Sequence, residues 1–284
     1  MKSLMQKIPS CKSSTYFHRK VISDLTYYIP LRNRHGDVET SSVLYVQSDC
    51  DTPIDRDKIV KELGRYVKID SYGACLNNKT FPLSLQNIDP LDLYNREYMT
   101  FISKYKFIIS IENAACYDYI TEKLWRPLIV GSIPIYFGAP NIRDWLPNDH
   151  SAILLDDFEN MEELGKYINQ VDNDDELYNE FLQHKTRQKI NNNFLKQFTM
   201  VEQPIIDFEC YVCSTLHKNA PPAPVKGNVY HCPAELNTGG SWDQHWSIGK
   251  CQAKALHEFL HQNIPYTAEA FEKKWLQFFR EQDC

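Results

Sequence analysis

The sequence predicts an α/β fold: a Rossmann-like parallel sheet with helices on both faces. Two observations carry this expectation and a third bounds it. Short apolar or β-branched runs recur along residues 42–155, and segments with helical spacing stand between them. That alternation implies parallel strands joined by crossover helices. The chain has 284 residues, with 43% hydrophobic and 24% charged side chains, enough for one large or two modest globular domains.

The elements follow in order. Residues 1–42 are polar and irregular, with Tyr27-Tyr28-Ile29-Pro30-Leu31 the only apolar knot. Ser42–Ser48 reads as a β-branched strand, and Asp49–Pro53 as a loop. Arg56–Val67 reads as a helix with Ile59, Val60, Leu63 and Tyr66 or Val67 on one face. Val67–Asp70 is a short strand that closes at Ser71-Tyr72-Gly73. In the second unit Phe107–Ile111 is a buried strand, and a loop leads to a helix over Tyr119–Val130. Ile133–Phe137 is the next strand, Asn141–Trp145 a short helical turn, and Ala152–Leu155 a further strand. Met161–Gln170 and Asp175–His184 read as helices. Beyond about residue 200 the alternation stops. Cys210-x-x-Cys213 opens a Pro-rich stretch, residues 220–224, that reads as an extended linker. Two helices, Trp246–Gln262 and Ala268–Phe279, close the chain. The expected organisation is an irregular segment 1–42, a Rossmann-like domain 43–209 and a Cys-containing tail 210–284.

The formal charge of −6, without a basic run, argues against a nucleic-acid partner. No stretch of 18 apolar residues forms a transmembrane helix, and the first residues lack the apolar core of a signal peptide. Nine cysteines nonetheless fit a lumenal or secreted protein better than a cytosolic one, and the odd number leaves one unpaired or a partner missing. Asn78-Lys79-Thr80 is an acceptor tripeptide for N-glycosylation, a pattern also frequent by chance. A lumenal character without a targeting signal leads us to expect a missing N-terminus.

The stretch of greatest chemical interest is Ile111–Pro127, IENAACYDYITEKLWRP. It leaves a buried strand and enters a helix, the place where ligands bind in a doubly wound sheet. The first turn of that helix offers free N–H groups and a partial positive charge to a phosphate. Lys123 adds a full charge, Glu122 offers acceptors for a pair of sugar hydroxyls, and Asn113 and Tyr119 supply further polar contacts. A plain structural account also stands: Asp118 caps the helix, Glu122 and Arg126 form an i,i+4 surface pair, and Ile120, Leu124 and Leu128 form a core stripe. Pro127 inside the helix should kink it.

Residues 105–138, YKFIISIENAACYDYITEKLWRPLIVGSIPIYFG, resemble the donor-binding motif of the α-1,3-fucosyltransferases, glycosyltransferase family 10. The Trp-Arg-Pro after Lys123 and the stretches YVQSDCDTPIDRDKIVKEL and VKIDSYGACLNN look most like its divergent fucosyltransferase 10/11 branch, which includes protein O-fucosyltransferases. The similarity covers residues 43–215 most strongly. The resemblance implies a two-domain GT-B architecture, GDP-fucose as donor substrate, inversion at the anomeric carbon, and no cofactor or obligatory metal. Carried onto this sequence, Arg56 and Lys123 would contact the pyrophosphate, Glu122 would bind hydroxyls of the nucleotide sugar, and Asn113 and Tyr119 would complete the donor pocket. The general base is expected from an N-terminal acceptor domain whose place here is taken by about 40 residues; Glu112 belongs to the donor half and is not its replacement. The membrane anchor is expected upstream as well. The acceptor would be a glycan or a glycoprotein, and the full-length location the lumenal side of a Golgi or ER membrane.

The resemblance also places a disulfide-forming C-x-x-C at Cys210 and Cys213; half of a zinc site is the competing reading, and it lacks a second pair at matching spacing. Cys50 and Cys75 are candidates to pair across the first βαβ unit, with connectivity left open. Two functional classes result: a fucosyltransferase, or a catalytically silent truncated isoform that acts as a nucleotide-binding or regulatory module.

Overall fold

The computed structural model describes residues 22–31, 41–86, 88, 95–192, 194, 213–214, 232, 242–262 and 264–284, the backbone alone at 242–246. Cys11, Cys210 and the Pro-rich stretch 220–224 lie outside the described residues. Five strands, β1 (Val43–Val46), β2 (Ile69–Tyr72), β3 (Phe107–Ile111), β4 (Ile133–Phe137) and β5 (Ile153–Leu154), form one sheet in the order β2-β1-β3-β4-β5. All four pairings are parallel, with Val43 beside both Ile69 and Phe107, Phe107 beside Ile133, and Ile135 beside Ile153. Every residue of the central strand β3 is buried. This is why it reads as an unbroken apolar run rather than an alternation: both of its faces are covered.

Successive side chains of a strand point to opposite faces. Val43, Tyr45, Phe107, Ile109 and Ile111 join one core with Val60 and Leu63 of α1 (Arg56–Leu63) and Leu164, Ile168 and Val171 of α4 (Met161–Asn173). Leu44, Ile108 and Tyr136 join the other core with Met99 and Ile102 of α2 (Arg96–Ile102) and Leu124 and Leu128 of α3 (Glu122–Val130). Each fully buried aliphatic side chain among them contributes about 2 kcal/mol of transfer free energy. Tyr178 and Phe181 of α5 (Asp175–Phe181) complete the first core, and α6 (Gln183–Thr186) follows directly.

Several boundaries differ from expectation. Helix α3 starts at Glu122, not Tyr119, and its N-cap is Thr121, whose backbone is extended and whose hydroxyl accepts from Lys123 N–H. Asp118 does not cap it: at φ 61° it lies in the left-handed region, and its carboxylate is bonded to Asn141 and Trp145 instead. Helix α3 continues through Pro127 to Val130 and ends on Gly131 in the left-handed conformation, φ 75°. Helix α1 stops at Leu63, before the expected Val67, and a turn carries the chain into β2. Helix α2 was not anticipated. In the tail, α7 (Trp242–His261) and α8 (Ala268–Glu281) pack through Ala255 and Phe278, with Cys251 bonded to Cys284. Among the described residues no helix is long and apolar enough to cross a membrane.

Candidate functional site at the switch point of the sheet

The chain leaves β1 toward β2 on one side of the sheet and later returns to β3 on the other. The loops after β1 and β3 therefore diverge at the carboxyl ends of adjacent strands, where a doubly wound sheet opens a crevice. Here the two loops are stitched together. Ile54 N–H donates to the Asn113 carbonyl at 3.0 Å. Arg56, the first residue of α1, donates through Nη1 to Asn113 Oδ1 and through Nη2 to the Asp49 carbonyl, both at 2.6 Å. A cation at a helix N-terminus opposes the helix dipole, and this one is only 2% exposed. Burial lowers its pKa, opposed by Tyr45, Asp49, Asp57 and Glu112. A guanidinium stays protonated in spite of this, so the crevice floor carries a fixed positive charge.

The other wall is the start of α3. Glu112 is fully buried; its Oε1 accepts from Thr121 N–H at 2.8 Å and its Oε2 from the Thr121 hydroxyl at 2.7 Å. Lys123 Nζ lies 3.3 Å from Thr121 Oγ1, 3.2 Å from Glu122 Oε1 and 3.8 Å from Glu112 Oε2, with its side chain 21% exposed. Burial raises the pKa of Glu112 against the Thr121 hydrogen bonds and the Lys123 charge. For Glu122 burial also acts to raise the pKa, but Lys123, the backbone and Arg126 outweigh it and the net direction is down. Tyr119 is half-buried, its pKa raised by burial and then by the carboxylates of Glu112 and Glu122.

Two anchors hold the loop between these walls. Asp118 Oδ1 accepts from Asn141 Nδ2 at 2.8 Å and Trp145 Nε1 at 3.0 Å, and Asp118 N–H donates to Asn141 Oδ1. Cys116 is disulfide-bonded to Cys232. Beneath the loop, Gly138 leaves no room for a side chain: a Cβ there would stand 2.6 Å from Glu112 Cγ and 2.8 Å from the Tyr136 hydroxyl.

The structure thus brings Arg56 and Asn113 into direct contact, pairs Glu122 with Lys123, and sets Tyr119 in the field of the same charges. Cys50 and Cys75 form a disulfide between the loops that follow β1 and β2. Cys213 is a correction: it is exposed and makes no disulfide. Two further tail cysteines are paired, Cys232 with Cys116 and Cys251 with Cys284. Asn78 is exposed, but its Nδ2 donates to the Ile69 carbonyl and its Oδ1 accepts from Ser71 N–H, each at 2.8 Å, so the amide secures β2. Sequence reasoning missed the Glu112–Thr121 pair and the Asp118–Asn141–Trp145 anchor. A threonine directly before the helical pattern was the available signal for the cap.

A family model described as glycosyltransferase family 10 (fucosyltransferase) C-term matches residues 37–230. The chain belongs to this family. It is 38% identical over 291 residues to alpha-(1,3)-fucosyltransferase B of Drosophila melanogaster, covering 93% of this chain and 66% of that one. It is 41% identical over 285 residues to GDP-fucose protein O-fucosyltransferase 3 of Homo sapiens, covering 89% and 59%. The chain therefore spans less than two thirds of the length of these relatives. A crystal structure of an alpha1,3-fucosyltransferase with GDP-fucose aligns at a TM-score of 0.46 and 20% identity, over 69% of this chain and 52% of that one. The matched family 10 span includes both walls of the crevice and ends before α7.

Proposed function

We propose that this chain is the donor-binding part of a fucosyltransferase that moves L-fucose from GDP-fucose to a glycan or glycoprotein acceptor with inversion. One observation carries the reading: at the β1/β3 switch point a partly exposed lysine on the first turn of α3 and a buried arginine at the start of α1 are both brought to the carboxyl ends of the strands. The diphosphate lies at the α3 N-terminus, where the helix dipole and Lys123 meet it; the first N–H groups of the helix are taken by Glu112 and the Thr121 hydroxyl. Its negative charge takes Lys123 from Glu122, whose freed oxygens accept from hydroxyls of the nucleotide sugar. Asn113 and Tyr119 line the same crevice. Arg56 acts from beneath, through Asn113 and through its charge; a direct bond to phosphate requires exchange of one of its 2.6 Å contacts.

The chemical step follows from these charges. As the C1–O bond of fucose breaks, negative charge grows on the departing GDP, and preorganised cations lower the energy of that state. The acceptor hydroxyl attacks the opposite face of C1 and gives its proton to a general base on the acceptor side, which gives inversion. Residues 43–209 then form the donor domain, and the tail 210–284 is tied to the donor loop by Cys116–Cys232. The three disulfides among the described residues support a lumenal, oxidising location.

Calorimetric titration tests this reading. Saturable binding of GDP-fucose in preference to GDP-mannose, weakened at least tenfold by Lys123→Ala, is the expected result. A folded chain that binds neither nucleotide sugar, or a Lys123→Ala variant that binds as the wild type does, contradicts it.

A further inference from the structure

Among the described residues, the buried charged or titratable groups include Arg56, Asp70, Glu112, His184 and Lys185. Of these acids only Glu112 stands at the crevice. Asp70 is taken by Ser41 N–H and the Tyr105 hydroxyl on the β2 side. Glu112 is 0% exposed, so it does not itself meet a ligand. Its carboxylate is given instead to one residue, Thr121, twice.

The direction of these bonds matters. A carboxylate only accepts, so the Thr121 hydroxyl must point its proton at Glu112 Oε2. The lone pairs of that hydroxyl then face Lys123 N–H, at 3.4 Å, and Lys123 Nζ, at 3.3 Å. One buried acid thus fixes a hydroxyl, the hydroxyl caps α3, and the cap holds the backbone and ammonium of Lys123. Gly138 leaves the space that Glu112 fills, since a Cβ there would stand 2.6 Å from Glu112 Cγ.

We propose that Glu112 is a positioning residue for donor binding: through the Thr121 hydroxyl it aims the N-terminus of α3 and Lys123 at the diphosphate. This rests on the donor reading above and adds to it a residue that never touches the ligand. In Glu112→Gln the amide NH2 replaces one acceptor, so the Thr121 hydroxyl loses its fixed direction and meets a donor where it met an acceptor. In Thr121→Val the shape is kept and the hydroxyl is lost.

The test is a double-mutant cycle on the whole chain, read by calorimetry with GDP-fucose and GDP and by exchange of the Thr121 amide hydrogen, at a temperature where every variant is shown to be folded. Glu112→Gln and Thr121→Val should each weaken GDP-fucose binding about tenfold, and the double variant by little more than either, because both remove one coupled contact. Thr121→Ser should bind within about twofold of wild type, which a loss of packing alone would not predict. Thr121 exchange should accelerate in Glu112→Gln. If Glu112→Gln and Thr121→Val bind as tightly as wild type, or if the two effects simply add, the positioning role is overturned. A wild type that does not bind GDP-fucose overturns the donor reading instead, and unchanged Thr121 exchange in Glu112→Gln overturns the clamp whatever the ligand does.

Discussion

Lys185 is 1% exposed, and its Nζ donates to the carbonyls of Asp24 and Ile129, each at 2.7 Å. It joins the segment 22–31 to the last turn of α3. A neutral amine has two N–H groups, enough for both carbonyls. Burial lowers its pKa from 10.5 to about 7, opposed by Asp24. Below pH 7 folded and unfolded chains both carry the proton, and the buried charge costs its full amount. Between pH 7 and 10.5 the unfolded chain binds more protons than the folded one, so stability rises with pH across that window. Urea unfolding of the wild type should show a gain of about 1 kcal/mol per pH unit from pH 7 to 9. Lys185→Met should flatten that slope whatever its absolute stability; an unchanged slope would refute the assignment. Nothing in the sequence marks Lys185 as buried. It stands in a polar stretch of ordinary composition, and only tertiary contact with α3 withdraws it from water. Arg56 differs: the resemblance implied a donor contact for it, but nothing in the sequence marked its burial.

At the scale of elements, the strands were legible because each is a continuous apolar run, the signature of a sheet covered on both faces. Helix α2 was not, because its seven residues bury only Met99 and Ile102, too few to display a period. The start of α3 was misplaced by three residues because Asp118 looks like a cap locally, yet its carboxylate is claimed by Asn141 and Trp145 from beyond β4. Such long-range bonds leave no local trace. The same holds for Cys116–Cys232, separated by 116 positions in the sequence. Cys50–Cys75, separated by 25, ties the loop that carries Asp49 to the end of β2. On the chain-entropy account a loop of that length is stabilised by about 3.5 kcal/mol. The double replacement of Cys50 and Cys75 by Ser should therefore lower the unfolding free energy by about 3 kcal/mol. It should also weaken GDP-fucose binding, since Asp49 holds Arg56 in place. Denaturant unfolding and calorimetry on the same preparation check both; a variant as stable as wild type would show that the loop needs no covalent tie.

In the whole molecule, the strand order β2-β1-β3-β4-β5 concentrates charge at one place. The loop of β1 delivers Arg56 to the floor, the loop of β3 delivers Asn113 and Glu112, and the helix after β3 delivers Glu122 and Lys123. The chain spends two buried ionic groups, Arg56 and Glu112, on holding this geometry, while Lys123 keeps its partial exposure. The most direct measurement is a crystal structure of the chain soaked with GDP-fucose. The account predicts the diphosphate at the N-terminus of α3, Lys123 Nζ moved from Glu122 onto a phosphate oxygen, and the Glu112–Thr121 bonds unchanged. A nucleotide bound elsewhere on the sheet, or a diphosphate that leaves Lys123 paired with Glu122, would contradict it.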